Sequence, residues 1–93
     1  MSFNRESAVQ RAKKDLAKRL RIDVDDVREK GVAERDFPDM SLGAAANGEM
    51  SAQMISSSWQ IDLAAGGRTF EYRADKYQLR LHNFEGENHV IES

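Results

Sequence analysis

Asp39 and Ser41 stand two positions apart in a stretch of small residues. With His82 or His89 they would supply the carboxylate, hydroxyl and imidazole of a hydrolase. Such a site also needs an oxyanion hole and a concave pocket. The hydropathy pattern puts His82 on a polar sheet face and His89 in the C-terminal tail, so the hydrolase is only an alternative reading. The run Asp23-Val24-Asp25-Asp26, with Glu34 at the last ligand position, superficially follows a calcium loop. Val27 then occupies a ligand position and Arg28 the place that requires Gly, so the match fails. These acids are read as turn-formers. Gly43-Ala44-Ala45-Ala46-Asn47-Gly48 is glycine-flanked but has no Lys or Arg to meet a phosphate. The absence of cysteine removes disulfides, thiolate ligands and a Cys nucleophile together. No catalytic residue, metal site or cofactor is therefore expected.

What remains is a place rather than a reaction. Phe37 to Met50, FPDMSLGAAANGEM, is a long run of turn-forming residues between segments with regular patterning. A compact domain rarely carries such a loop unless it is functional or disordered. Phe37, Pro38, Asp39, Ser41, Leu42 and Gly43 are the candidate binding surface of this loop. For Phe37 itself, packing against the core is the favoured reading. Pro38-Asp39 is a turn signature, with Asp39 suited to bonding backbone amides.

The elements that must position this loop follow from periodicity. Val9, Ala12, Leu16 and Leu20 recur at three- and four-residue steps, which predicts an amphipathic helix over 4–20. Ser2 or Asn4 can cap its start. Arg11, Lys14, Lys18 and Arg21 form a basic ridge on the opposite face, which could follow a nucleic-acid backbone. A sequence pI near 5.6 and the lack of interleaved aromatics favour a solvated face instead. Ile22 to Asp26 turns the chain, and Val27–Arg35 is an edge strand guarded by its charges. Met50–Ile55 is a candidate strand with Met50, Ala52 and Met54 on one face; a turn or bulge at Ser56–Ser58 absorbs a change of parity.

Trp59, Ile61 and Leu63, then Phe70, Tyr72 and Ala74, then Tyr77, Leu79 and Leu81 alternate with polar residues. A two-residue turn at Gly66-Gly67 sets Leu63 opposite Phe70 and Ile61 opposite Tyr72. A similar turn at Asp75-Lys76 would set Tyr72 opposite Leu79 and Glu71 opposite Arg80. Asp62 then faces Glu71, a like-charge pair relieved by Arg73 and Arg80. A sheet apolar on one face needs a cover, and the helix is available. The expected fold is α+β, an N-terminal helix packed on one face of a four- to five-stranded antiparallel meander. Residues 1–84 form the single domain and 85–93 a frayed tail.

With 93 residues, 40% hydrophobic and 32% charged, the chain suits one small globular domain. The net charge of −2 is uneven: seven Lys/Arg against two acids in residues 1–21, and seven acids against three bases in 22–39. No window approaches a membrane span, and the opening MSFNRESAVQRAKK has no apolar signal core, so the expected compartment is the cytoplasm.

FPDMSLG (37–43), GEMSAQ (48–53), SWQIDL (58–63) and GGRTFEYRAD (66–75) together resemble a family of small uncharacterised prokaryotic α+β domains. The pattern is aromatic-Pro-Asp-x-Ser-Leu-Gly, Gly-x-Met, an aromatic-x-Ile-x-Leu strand, and Gly-Gly leading into Tyr/Phe-Glu-Tyr-Arg/His. It covers about residues 5–82. The resemblance implies no known activity; members often look exported, and the shape is similar to cystatin-like and PepSY-like modules. Members often carry Cys after the Leu-Gly and near the end of the last strand, where this chain has Ala44 and, approximately, His82. Losing both fits a reducing compartment and implies a loop held by packing alone.

The reading is a non-catalytic module that binds protein, or acts like an inhibitor, through the 37–50 loop and the adjoining sheet edge. The alternatives are nucleic-acid association through the basic ridge and a hydrolase using Asp39 and Ser41. A protein partner is expected, a homodimer through a sheet edge is possible by strand addition, and nucleic acid and membrane are not expected partners.

Overall fold

The computed structural model describes residues 2–50 and 52–93. One helix covers one face of a five-stranded antiparallel meander, an α+β fold. Helix α1 spans Arg5–Leu20. Asn4 caps it: its side chain accepts from the Ser7 amide while Ser7 Oγ accepts from the Asn4 amide, so two otherwise orphaned donors are satisfied. Arg21 ends it in the left-handed region, and a 3₁₀ turn, Val24–Asp26, follows with Asp23 as its cap.

The sheet runs in chain order: β1 Arg28–Phe37, β2 Ser56–Ala65, β3 Arg68–Ala74, β4 Leu79–Phe84 and β5 Glu87–Glu92. Ala8, Val9, Ala12, Leu16 and Ala17 of α1 are buried with Val27, Ile61, Leu63, Phe70, Tyr72, Leu79 and Leu81 in the main core. Small residues on the helix let it lie close to the sheet. Fully burying each Leu or Ile is worth about 1.5–3 kcal/mol. A polar tie crosses the same interface. The Tyr72 hydroxyl donates to Asp15 Oδ2 at 2.7 Å, and Arg19 Nε donates to the same oxygen at 2.7 Å. Burial and the Asp15 carboxylate push the Tyr72 phenol well above its ordinary range.

The β2–β3 pairing is as expected, with Leu63 opposite Phe70, Ile61 opposite Tyr72 and Asp62 opposite Glu71. The β3–β4 register is not. Tyr72 faces Leu81, Ala74 faces Leu79, and Arg73 faces Arg80. The turn sits one residue later than expected, at Lys76-Tyr77. Asp75 Oδ1 accepts from the Tyr77 and Gln78 amides, and the Asp75 amide donates to the Gln78 carbonyl. Asp75 thus closes the turn instead of occupying it. Tyr77 is carried out to solvent, 67% exposed, and not into the apolar row. The register moves by two residues, so the pleat parity of Leu79 and Leu81 survives.

Two further expectations are corrected. Residues 85–93 are not simply a frayed tail: Glu87–Glu92 form β5 against β4. Glu85 and Gly86 both have positive φ, the backbone of a tight hairpin turn. Nor is Met50–Ile55 a strand: its described residues lie outside the sheet and are exposed, and Ser51 lies outside the described residues. β2 begins at Ser56, so no change of parity has to be absorbed there. The one irregularity of the β1–β2 pair falls between Glu29 and Gly31.

Candidate functional site

Phe37 pairs with Ser56, so residues 38–55 form one long excursion between paired strand ends. Its first part lies across the sheet face opposite α1. It meets Arg73 of β3, Arg80 of β4 and Asn88 of β5 in turn. We call it the strap.

The shifted register explains why a strap is needed. Arg73 and Arg80 stand directly opposite each other on the outer face, a destabilising arrangement unless each finds acceptors. Both are buried. Arg73 Nε donates to Glu71 Oε2 at 2.5 Å and its Nη1 to the Leu42 carbonyl at 2.9 Å. Arg80 holds Glu49 through Nη1 and Nη2, the latter at 2.8 Å, and its Nη1 also donates to the Ala44 carbonyl at 3.3 Å. Neighbouring amides add more ties: Gln78 Nε2 donates to the Met40 carbonyl at 2.7 Å and Asn88 Nδ2 to the Ala45 carbonyl at 3.0 Å. The loop is therefore fixed by guanidinium and amide donors reading its backbone, not by packing alone. Arg73 also relieves the Asp62–Glu71 pair as expected, whereas Arg80 is drawn away to Glu49.

The strap's own sequence shapes it for this seat. Asp39 Oδ1 accepts from the Ser41 and Gly43 amides at 2.9 and 3.1 Å, coiling FPDMSLG into a tight turn. Leu42 and Gly43 both adopt left-handed backbone. A Cβ on Gly43 would lie 2.8 Å from Arg73 Nη1, so a larger residue would have to displace a guanidinium tip that is hydrogen-bonded to the Leu42 carbonyl. Phe37, Leu42 and Ala44 are buried outside the main core and form a small apolar layer under the strap. The guanidiniums of Arg35 and Arg73 lie over the Phe37 ring, 4.9 and 4.7 Å from its centroid. Glu49 closes the strap. Its carboxylate accepts from Arg80, the Ala46 amide and the Ser41 side chain, and Arg80 above all lowers its pKa from 4.5 to about 2.

Of the six residues expected at the loop surface, Phe37, Ser41 and Leu42 face inward and are buried, Asp39 is half-buried, and Pro38 and Gly43 are exposed. Phe37 is buried as favoured, but beneath the strap and not in the helix-side core. The polar groups of the hydrolase alternative are engaged within the strap, Asp39 by backbone amides and Ser41 by Glu49. His82 lies on β4 opposite Glu71, with its buried Nδ1 unpartnered among the described residues, and His89 lies opposite Leu81. Of the basic ridge, Lys14, Lys18 and Arg21 are exposed, while Arg11 pairs with Glu92 at 2.9 Å. Among the described residues, no three acids or histidines cluster as a metal site, and no helix is long and apolar enough to cross a membrane.

Arg73, Arg80, Gln78, Glu49 and Asn88 hold the strap; the sequence pattern set the two arginines only beside the Asp62–Glu71 pair and gave the other three no role. Alternation places the two arginines on a polar face, where solvent is the default.

A family model described as a domain of unknown function (DUF8738) matches residues 9–82. The chain belongs to this family. The matched span contains the strap and both arginines and ends before β5. No curated protein and no solved structure matches the chain.

Proposed function

We propose that this DUF8738 domain is a non-catalytic protein-binding module. Its recognition surface is the outer side of the strap and its continuation to Ile55, with the adjoining edge of β1. The observation that carries this reading is the two-sidedness of residues 38–55. Leu42 and Ala44 are fully buried on the inner side, while Met40, Met50, Met54 and Ile55 are 40, 96, 63 and 77% exposed. Half of the large apolar side chains exposed on the described chain therefore lie on one connection. Exposed apolar residues gathered in this way mark interaction surfaces, and methionine adapts its shape to a partner. The contact residues differ from those the sequence suggested: Phe37 and Leu42 support the surface from beneath.

A quantitative pull-down tests this. Wild type is compared with Met50→Ser/Met54→Ser/Ile55→Ser and with a helix-face control, Lys14→Glu/Lys18→Glu. Both variants leave the buried layers intact, so their melting temperatures should match wild type. The strap variant is expected to lose the partner and the helix variant to keep it. Equal recovery by all three would overturn the reading.

A further inference from the structure

The irregularity in β1 has a consequence for what this edge can bind. β1 is an outer strand, and of its residues Arg28, Glu29, Lys30, Glu34, Arg35 and Asp36 are all exposed. Between Glu29 and Gly31 the pairing with β2 skips one residue, a bulge at Lys30. A bulge reverses the relation between sequence parity and sheet face.

Before the bulge, Glu29 pairs with Leu63 on the helix side, so Arg28 opposite Ala64 lies on the strap side. Lys30 reaches Thr69 Oγ1, and Thr69 faces Ala64 on that same strap side. After the bulge, Glu34 opposite Trp59 and Asp36 opposite Ser57 lie on the helix side, and Arg35 opposite Ser58 on the strap side. The charges are thus sorted: Arg28, Lys30 and Arg35 along one face of the edge, Glu29, Glu34 and Asp36 along the other. Without the bulge each face would carry both signs. Among the described residues none of the six has an ion-pair partner, in contrast to Arg11, Arg19, Arg73 and Arg80.

We infer that the β1 edge accepts an extended partner segment with alternating acidic and basic residues, its acids on the strap side and its bases on the helix side. A second copy of the chain is disfavoured, because symmetric antiparallel pairing that continues the sheet keeps each face on its own side. With Val32 opposite Val32, Glu29 would meet Glu34 and Arg28 would meet Arg35. Unbulged, the same residues would instead have set Lys30 against Glu34 and Glu29 against Arg35. The bulge turns a self-complementary sequence into a self-repelling edge, and charge selects the partner that remains. This rests on the reading of the domain as a binding module and names what its edge recognises.

The test uses the full chain, isotopically labelled, and two short capped peptides of identical composition. In one, Glu and Lys alternate around a central Val; in the other, the acids and bases form two blocks. The alternating peptide is expected to bind at least about fivefold more tightly, from several cross-strand charge pairs. Its amide shift changes should concentrate in β1 and be lost in Arg28→Glu/Lys30→Glu/Arg35→Glu. Equal affinity for the two peptides, no binding of either, or shifts away from β1 would overturn the inference. So would concentration-dependent dimerisation of the free protein through β1. The variant Met50→Ser/Met54→Ser/Ile55→Ser is run in parallel. A peptide preference that persists while this variant still recovers the natural partner would sink the strap reading and leave the edge standing.

Discussion

Replacing Glu49 by Gln removes the charge opposite Arg80 while keeping size and one acceptor oxygen. Arg80 is held in a side chain only 6% exposed, so its guanidinium has little water to fall back on when Glu49 is neutral. A carboxyl lowered from 4.5 to about 2 corresponds to about 3 kcal/mol of preference for the charged form if folding expresses all of it. The Glu49 side chain is itself 30% exposed, and water screens part of that preference. A stability loss of ~1–2 kcal/mol at neutral pH follows for Glu49→Gln. Because the folded-state pKa is the lower one, the stabilisation is complete above 4.5 and fades as pH falls through about 2. Urea unfolding of wild type and variant at a series of pH values reads this directly, since the other carboxylates cancel in the difference. The gap should be widest at neutral pH, narrow below about 4.5 and close near 2. A negligible gap at neutral pH, or one that acid leaves unchanged, would refute the assignment of Glu49 as the lock of the strap.

Gly43→Ala should cost at least about 1 kcal/mol, from left-handed backbone and a Cβ forced against Arg73 Nη1 at 2.8 Å. Hydrogen exchange should show the loss as faster opening around the strap amides, with the α1 amides less affected. Tyr72→Phe removes the donor to Asp15 and should lower stability by ~1–1.5 kcal/mol in thermal melts. The Tyr72 phenol is raised above its ordinary value of 10.0, so its contribution is complete below pH 10 and shrinks as pH climbs past that value. The wild type should therefore lose its advantage over Tyr72→Phe in strong alkali.

The helix and its sheet were legible because their signals are local and repeated. Val9, Ala12 and Leu16 mark one face by spacing alone, and Gly66-Gly67 with flanking alternation fixes the β2–β3 register. The β3–β4 register was ambiguous because Asp75-Lys76 and Lys76-Tyr77 both make plausible turns, and either keeps Leu79 and Leu81 on the core face. β5 escaped because Glu85-Gly86 is a weak turn signal and two register shifts interrupt the pairing of Glu87–Glu92 with β4. Charge sorting on β1 depends on a bulge; Gly31 inside a strand is a signal for one, but it does not say which charges end on which face. The candidate loop was found by its length, but which of its side chains point outward was not. Phe37, Ser41 and Leu42 turn inward because Arg73 and Arg80 seat the strap, a partnership between residues 31 and 36 positions apart.

This arrangement also accounts for a loop with so little reactive chemistry. Its polar groups face the sheet: the Leu42, Ala44 and Ala45 carbonyls toward Arg73, Arg80 and Asn88, the Asp39 carboxylate toward its own amides, and Glu49 toward Arg80. A strap tied at that many points loses little conformational freedom when something docks on it, and reduced ordering cost is the main advantage of a preorganised binding surface. The same ties leave Pro38, Met40 and Ala45 to solvent on the other side. On the proposed reading, the ties from Asp39 to Glu49 and the exposed Met40 above them suit a contact surface, whereas a catalytic one would need polar groups converging outward on a substrate. The edge of β1 begins where the strap leaves the sheet, at Phe37, so a partner strand laid along Arg28–Asp36 would run into the strap's first residues. The two surfaces would then be read together by one partner, charge setting its register on the edge and the methionines adapting to the side chains that extend beyond it.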